Sequence, residues 1–113
     1  MRVPEDAVIP WEKLTDCLLA PRLRDDKSRF LARAGFLQSN AEDLLRALRE
    51  LAVTQDAVED GESEYGVFLR AEGELIGPSG GALQVVTIWL RWHSDGSTHF
   101  VTLKPGRWTT DGG

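Results

Sequence analysis

A chain of 113 residues, 42% hydrophobic and 27% charged, supports a single globular domain with one core. Its net charge of −5 argues against a general nucleic-acid binder, and its single cysteine excludes an intrachain disulfide or a cysteine-based metal cluster. No apolar run approaches the roughly 20 residues that span a bilayer, and Met1 to Asp6 lacks a signal-peptide core, so a cytoplasmic protein with no membrane partner is expected.

The charge is polarised along the chain. Arg22, Arg24, Lys27, Arg29 and Arg33 stand against Asp25 and Asp26, whereas residues 39–64 are dominated by acids. A local basic patch can still meet phosphate on an acidic protein.

In chain order, Pro10 to Leu19 reads as a short helix. Pro10 suits a first turn, Trp11, Leu14 and Leu18 keep the spacing of an apolar stripe, and Pro21 ends it. Cys17, among apolar neighbours, reads as a buried structural thiol. Asp25 or Asp26 can cap a second helix through Ala34, with Phe30, Leu31 and Ala34 inward and Gly35 as its left-handed stop. Ser39-Asn40-Ala41-Glu42 fits a capping box for a third helix, whose Leu44, Leu45, Leu48, Leu51 and Ala52 form one apolar face.

After Val53 the period changes to two. Thr54 to Asp60 is a weak edge strand, Tyr65 to Leu75 alternates, and Gly77 to Gly81 is a turn. Gln84 to His93 is the longest strand-like run, and Asp95-Gly96 signals a type I′ hairpin returning through Thr98 to Leu103. The expected architecture is α+β, with three N-terminal helices packed on one face of a four-stranded antiparallel sheet. Residues 1–105 make one domain and 106–113 a flexible tail, from which Trp108 can fold back onto an apolar patch.

A turn centred on Asp95 and Gly96 would pair Arg91 with Phe100, Trp89 with Thr102 and Thr87 with Lys104. Ile88, Leu90, Trp92, His99, Val101 and Leu103 then face the helices. Thr87, Trp89, Arg91, His93, Thr98, Phe100, Thr102 and Lys104 project outward, joined by Phe68 and Arg70 of the neighbouring strand. That second set is a cluster of cations, aromatic rings and hydroxyls, and it is the candidate binding surface. The cations flanking Trp89 also suit a plain cation–π surface. The two histidines lack metal-ligand spacing, so neither a metal nor a cofactor is expected, and Gly77 to Gly81 lacks the lysine of a P-loop.

Three stretches carry a family likeness: Val8 to Leu19 with Lys13-Leu14-Thr15-Asp16, Asp26 to Phe36 with Lys27, Arg29, Phe30, Gly35 and Phe36, and Val85 to Leu90 with Phe100 to Thr102. Together they resemble an uncharacterised bacterial domain found free-standing and at the C-termini of polymorphic and contact-dependent-inhibition toxins. The toxin-borne members resemble the barnase, colicin and RelE-like ribonuclease group. The resemblance implies a metal-independent endoribonuclease, in which the ribose 2′-hydroxyl attacks the adjacent phosphorus. On the resemblance Lys27 and Arg29 would clamp phosphate, Thr87 and Thr102 would position it, and Trp89 would stack a base. The strand register adds Arg70, Arg91 and Lys104 as substrate contacts. The expected partners are RNA and a cognate antitoxin or toxin protein. The alternative is a non-catalytic interaction or antitoxin-like module, able to form a homodimer through an exposed aromatic patch or its weak edge strand.

Overall fold

The computed structural model describes residues 2–21 and 27–106, so Asp25, Asp26 and Trp108 lie outside the described residues. The fold is α+β: short helical segments precede a four-stranded antiparallel sheet in the order β1-β2-β3-β4. The strands are β1 (Ala57–Glu62), β2 (Gly66–Ile76), β3 (Ala82–Trp92) and β4 (Thr98–Pro105). The weakest strand candidate is indeed an edge, while the longest run is central and pairs on both sides.

The first two helices are shorter and less regular than the apolar periodicity predicts. The first begins at Pro10, whose carbonyl accepts from Lys13 N at 3.0 Å, but Lys13–Leu18 is a π-helix. Leu19 N accordingly reaches Leu14 O at 2.9 Å. The wider turn buries Leu14, Leu18 and Leu19 together and leaves Trp11 46% exposed, outside the stripe expected of it. Cys17, next to them, is half-buried rather than enclosed. The second helix, α1, spans only Ser28–Ala32; Leu31 and Ala34 are buried and Phe30 packs against the core from its edge. Gly35, at φ 93°, ends this region in the left-handed conformation expected of it. The third helix, α2 (Ala41–Thr54), buries Leu44, Leu48, Leu51 and Ala52 as its periodicity requires, with Leu45 partly buried.

Its cap is different. A 3₁₀ turn over Gln38–Asn40 leads into α2, and Asn40 rather than Ser39 stitches the junction. Asn40 Oδ1 accepts from Leu37 N at 2.7 Å and its Nδ2 donates to Gly35 O at 2.9 Å. The Gly77–Gly81 turn closes against the end of α1, Ser79 N donating to Ala34 O at 3.2 Å. A Cβ on Gly77 would stand 1.9 Å from that carbonyl oxygen, so only glycine fits there.

The N-terminal segment, which has no periodic signal, clips both edges of the sheet. Val8 runs parallel to β4, donating to Thr98 O and accepting from Phe100 N at 2.8 Å each. At the other edge Arg2 pairs with Asp56 at 3.0 Å. Val3, Ala7 and Ile9 fill the core between them.

β3 and the start of β4 are turned over relative to the sequence expectation, so that Thr87, Trp89, Thr98 and Phe100 point inward. Leu103 is inward and Phe68, Arg70, Thr102 and Lys104 are outward as expected. Leu69, Ala71, Leu75, Val85, Thr87, Trp89, Phe100 and Leu103 belong to the core with the helices. Val86, Ile88, Leu90 and Trp92 lie on the other side and are only half-buried. Two causes act together. Both faces of β3 carry large apolar groups, so period-two patterning alone does not choose between them. The polar groups on the inner face are also mutually satisfied: Trp89 Nε1 donates to Thr87 Oγ1 at 2.9 Å, and that hydroxyl donates to Ala71 O at 2.7 Å. Buried polar atoms cost little once hydrogen-bonded.

The hairpin register also differs. Arg91 pairs with Thr98, Leu90 with His99, Trp89 with Phe100, Ile88 with Thr102 and Thr87 with Leu103, with a bulge at Val101. The connection is longer than a two-residue turn, because Trp92 N bonds Ser97 O and Gly96 N bonds Trp92 O. Asp95 Oδ1 accepts from Ser97 N at 2.9 Å, an Asx turn in place of the type I′ geometry.

Candidate functional site: the uncovered face of the sheet

With the helices and Trp89 on one side, the other face of the sheet is left without a buried side chain among the described residues. Its layout follows from the register. Phe68, Leu90 and His99 make one lateral row, Arg70, Ile88 and Thr102 the next, and Glu72, Val86 and Lys104 the third. An apolar strip on β3 is thus flanked by charged and polar groups on β2 and β4. The bulge at Val101 keeps Thr102 on this face while returning Leu103 to the core, where it is fully buried.

The expected site residues are divided among several places. Lys27 and Thr102, 75 positions apart, meet: Lys27 Nζ donates to Thr102 Oγ1 at 3.3 Å. Lys104 lies one row along the same face and is exposed. Arg70 shares the face but is engaged, its Nη1 bonding Glu72 Oε2 at 2.5 Å with Asp60 Oδ2 3.8 Å from its Nε. Arg91 is paired with Glu59 at 3.3 Å and, in register with Thr98, belongs to the helix-side face at its open end. Arg29 is exposed and lines a groove with Leu19, Pro21, Phe36 and Leu37, to which Thr102 does not contribute. Thr87 and Trp89 are 0% exposed and bonded to one another, so they present no surface to a base or a phosphate. They are structural residues, and Trp89 meets Phe100 edge-on at 5.3 Å between ring centroids.

His99 is on the uncovered face, although its place in the sequence puts it against the helices. Its ring meets Trp92 edge-on at 5.7 Å, and Trp92 meets Tyr65 at 6.2 Å, so an aromatic row closes the hairpin end of the face. His93 lies beyond it at the turn, 3.1 Å from Glu62. His99 keeps the face of Leu90 and Trp92 that its spacing gives it, and it lies in the open because β3 turns Thr87 and Trp89, not Ile88 and Leu90, toward the core. Among the described residues no three His, Cys, Asp or Glu side chains gather in a way that would hold a metal, and no helix is long and apolar enough to cross a membrane.

The same architecture occurs in a solved structure described as a contact-dependent growth inhibition toxin–immunity protein complex from Klebsiella pneumoniae 342. The similarity has a TM-score of 0.65 and 22% sequence identity, covering 91% of this chain and 96% of that one. At that identity the likeness is one of fold. No curated protein matches this chain. Residues 2–107 match the domain of unknown function DUF6883, and the chain belongs to that family.

Proposed function

We propose that this protein is the toxin-type member of a toxin–immunity pair and that it cleaves RNA on the uncovered face of the sheet. The observation that carries this reading is the Lys27–Thr102 contact. An ammonium and a hydroxyl held together on an open β-surface form a donor pair suited to the non-bridging oxygens of a phosphodiester. Such donors are most effective where charge develops on a phosphorane. Lys104, one row away, extends the cationic line along β4. The apolar strip of Ile88 and Leu90 gives a base something to lie on in place of the buried Trp89 ring. The chemistry would be the metal-independent route, with attack by the 2′-hydroxyl, and the solved toxin–immunity complex with this fold supports a protein partner.

The test is expression without a partner, followed by incubation of purified protein with RNA. Growth inhibition and cleavage are expected, and Lys27→Ala should reduce the turnover rate by about 100-fold. A well-folded protein that is tolerated by cells and leaves RNA intact would overturn the reading.

A second reading has its own observation. Phe68, Val86, Ile88, Leu90 and Trp92 form a half-buried apolar strip on a molecule of net charge −5. Aromatic and aliphatic groups ringed by charge are the composition of a protein-binding surface. On this reading the face docks a cognate protein, or a second copy, and performs no chemistry. Binding to the product of the adjacent gene with RNA untouched would favour it.

A further inference from the structure

Cleavage by 2′-hydroxyl attack needs a group that takes the hydroxyl proton, and the cations around Thr102 do not supply one. We propose that His99 is that group, held in a single tautomer by Ser97 and Asp95. This rests on the RNA-cleaving reading above and adds the residue that reading lacks.

The argument is one of proton placement. Asp95 Oδ1 accepts from Ser97 Oγ at 2.7 Å and from Ser97 N at 2.9 Å. These two bonds hold the Asp95 carboxyl below the usual aspartate range, so it is ionised and can only accept. The single hydroxyl proton of Ser97 therefore goes to Asp95. Ser97 Oγ also lies 3.0 Å from His99 Nε2, and with its proton spent it must accept there. Nε2 consequently carries the hydrogen, and the lone pair of the neutral ring resides on Nδ1. Among the described residues no hydrogen bond takes up Nδ1. Trp92, edge-on to the ring, limits its rotation.

The placement fits the reaction. His99 and Thr102 project from β4 on the same face, with the Val101 bulge between them. Three residues of strand separate their backbones by about 10 Å. Two side chains can close that span over a bound phosphodiester. His99 Nδ1 takes the proton of the 2′-hydroxyl as the 2′-oxygen bonds to phosphorus. The bond from phosphorus to the 5′-oxygen breaks, and that oxygen takes a proton from water. The products are a 2′,3′-cyclic phosphate and a 5′-hydroxyl. Ser97 and Asp95 are positioning residues, since they act only through the ring.

The experiment uses the full chain and a short RNA oligonucleotide. Wild type should yield fragments ending in a cyclic phosphate. His99→Gln should lower kcat by about 100-fold or more with little change in KM. Ser97→Ala should lower kcat by about 10-fold, and His93→Gln should leave cleavage unchanged. Nitrogen-15 NMR of the histidine rings should find His99 as the Nε2–H tautomer, with that preference lost in Ser97→Ala. Circular dichroism of each variant separates a lost fold from a lost proton acceptor. Equal cleavage by wild type and a folded His99→Gln would overturn the role of His99 while leaving the ribonuclease reading in place. An Nδ1–H tautomer in wild type would overturn it too. RNA left intact by wild type would overturn the reading itself, and this inference with it.

Discussion

Thr87 and Trp89 act as a pair inside the core. The indole N–H, the hydroxyl and the Ala71 carbonyl form a closed chain linking β2 and β3. Thr87→Val keeps the shape but leaves a buried donor and a buried acceptor unmatched. It should lower unfolding stability by about 1–3 kcal/mol in urea titrations. Thr98 is the contrasting case: it is 3% exposed, and its hydroxyl oxygen has no hydrogen-bond partner among the described residues. Thr98→Val should therefore be neutral or stabilising by up to about 1 kcal/mol in the same titration. Opposite signs from the same substitution would separate hydrogen bonding from side-chain volume. Asp95 adds a pH signature. Its carboxyl is lowered chiefly by the Ser97 hydroxyl and then by the Ser97 amide, so the folded state binds that proton less readily than the unfolded chain. Its stabilising effect is present above the ordinary aspartate value and is lost as pH falls through the lowered one. The difference in melting temperature between wild type and Asp95→Ala should be greatest near neutrality and shrink in strong acid.

At the scale of elements, the entry into α2 distinguishes two caps that look alike in sequence. Ser39 and Asn40 are both good capping residues, but Asn40 makes the two junction bonds, to Leu37 N and Gly35 O. Asn40→Ala should cost about 1 kcal/mol, while Ser39→Ala should stay within about 0.5 kcal/mol, as urea denaturation of the two variants would report. The apolar stripe of α2 was legible because Leu44, Leu48 and Leu51 recur at helical spacing and all become buried. The π-helix was not, because Trp11, Leu14 and Leu18 have the same spacing whether the turn is α or π. Which of them enters the core depends on the hydrogen bond from Leu19 to Leu14, a choice made by packing.

For the whole molecule, the deciding feature is that the helices cover one face of the sheet and leave the other with half-buried apolar groups. Replacing Ile88 and Leu90 together by threonine trims that strip while keeping strand-forming residues. The double variant should remain folded, but its affinity for a cognate protein should fall by at least about 10-fold in titration calorimetry if the face is the docking surface. Light scattering of wild type separates a self-paired face from one kept for another protein.

The chain by itself determined the α+β order, the central place of β3, the weak edge at β1, the left-handed stop at Gly35 and the buried stripe of α2. Each of these depends on local periodicity or on backbone chemistry confined to a few residues. Only the tertiary structure decided which side of β3 is inside, because Val85, Thr87 and Trp89 compete on nearly equal terms with Val86, Ile88 and Leu90. The contest was settled by the hydrogen bond from Trp89 through Thr87 to a carbonyl on another strand. The bulge at Val101 then kept Thr102 outward beside Lys27, and His99, paired with Leu90, followed that side of β3 onto the open face. Those contacts join residues far apart in sequence, and no spacing rule encodes them.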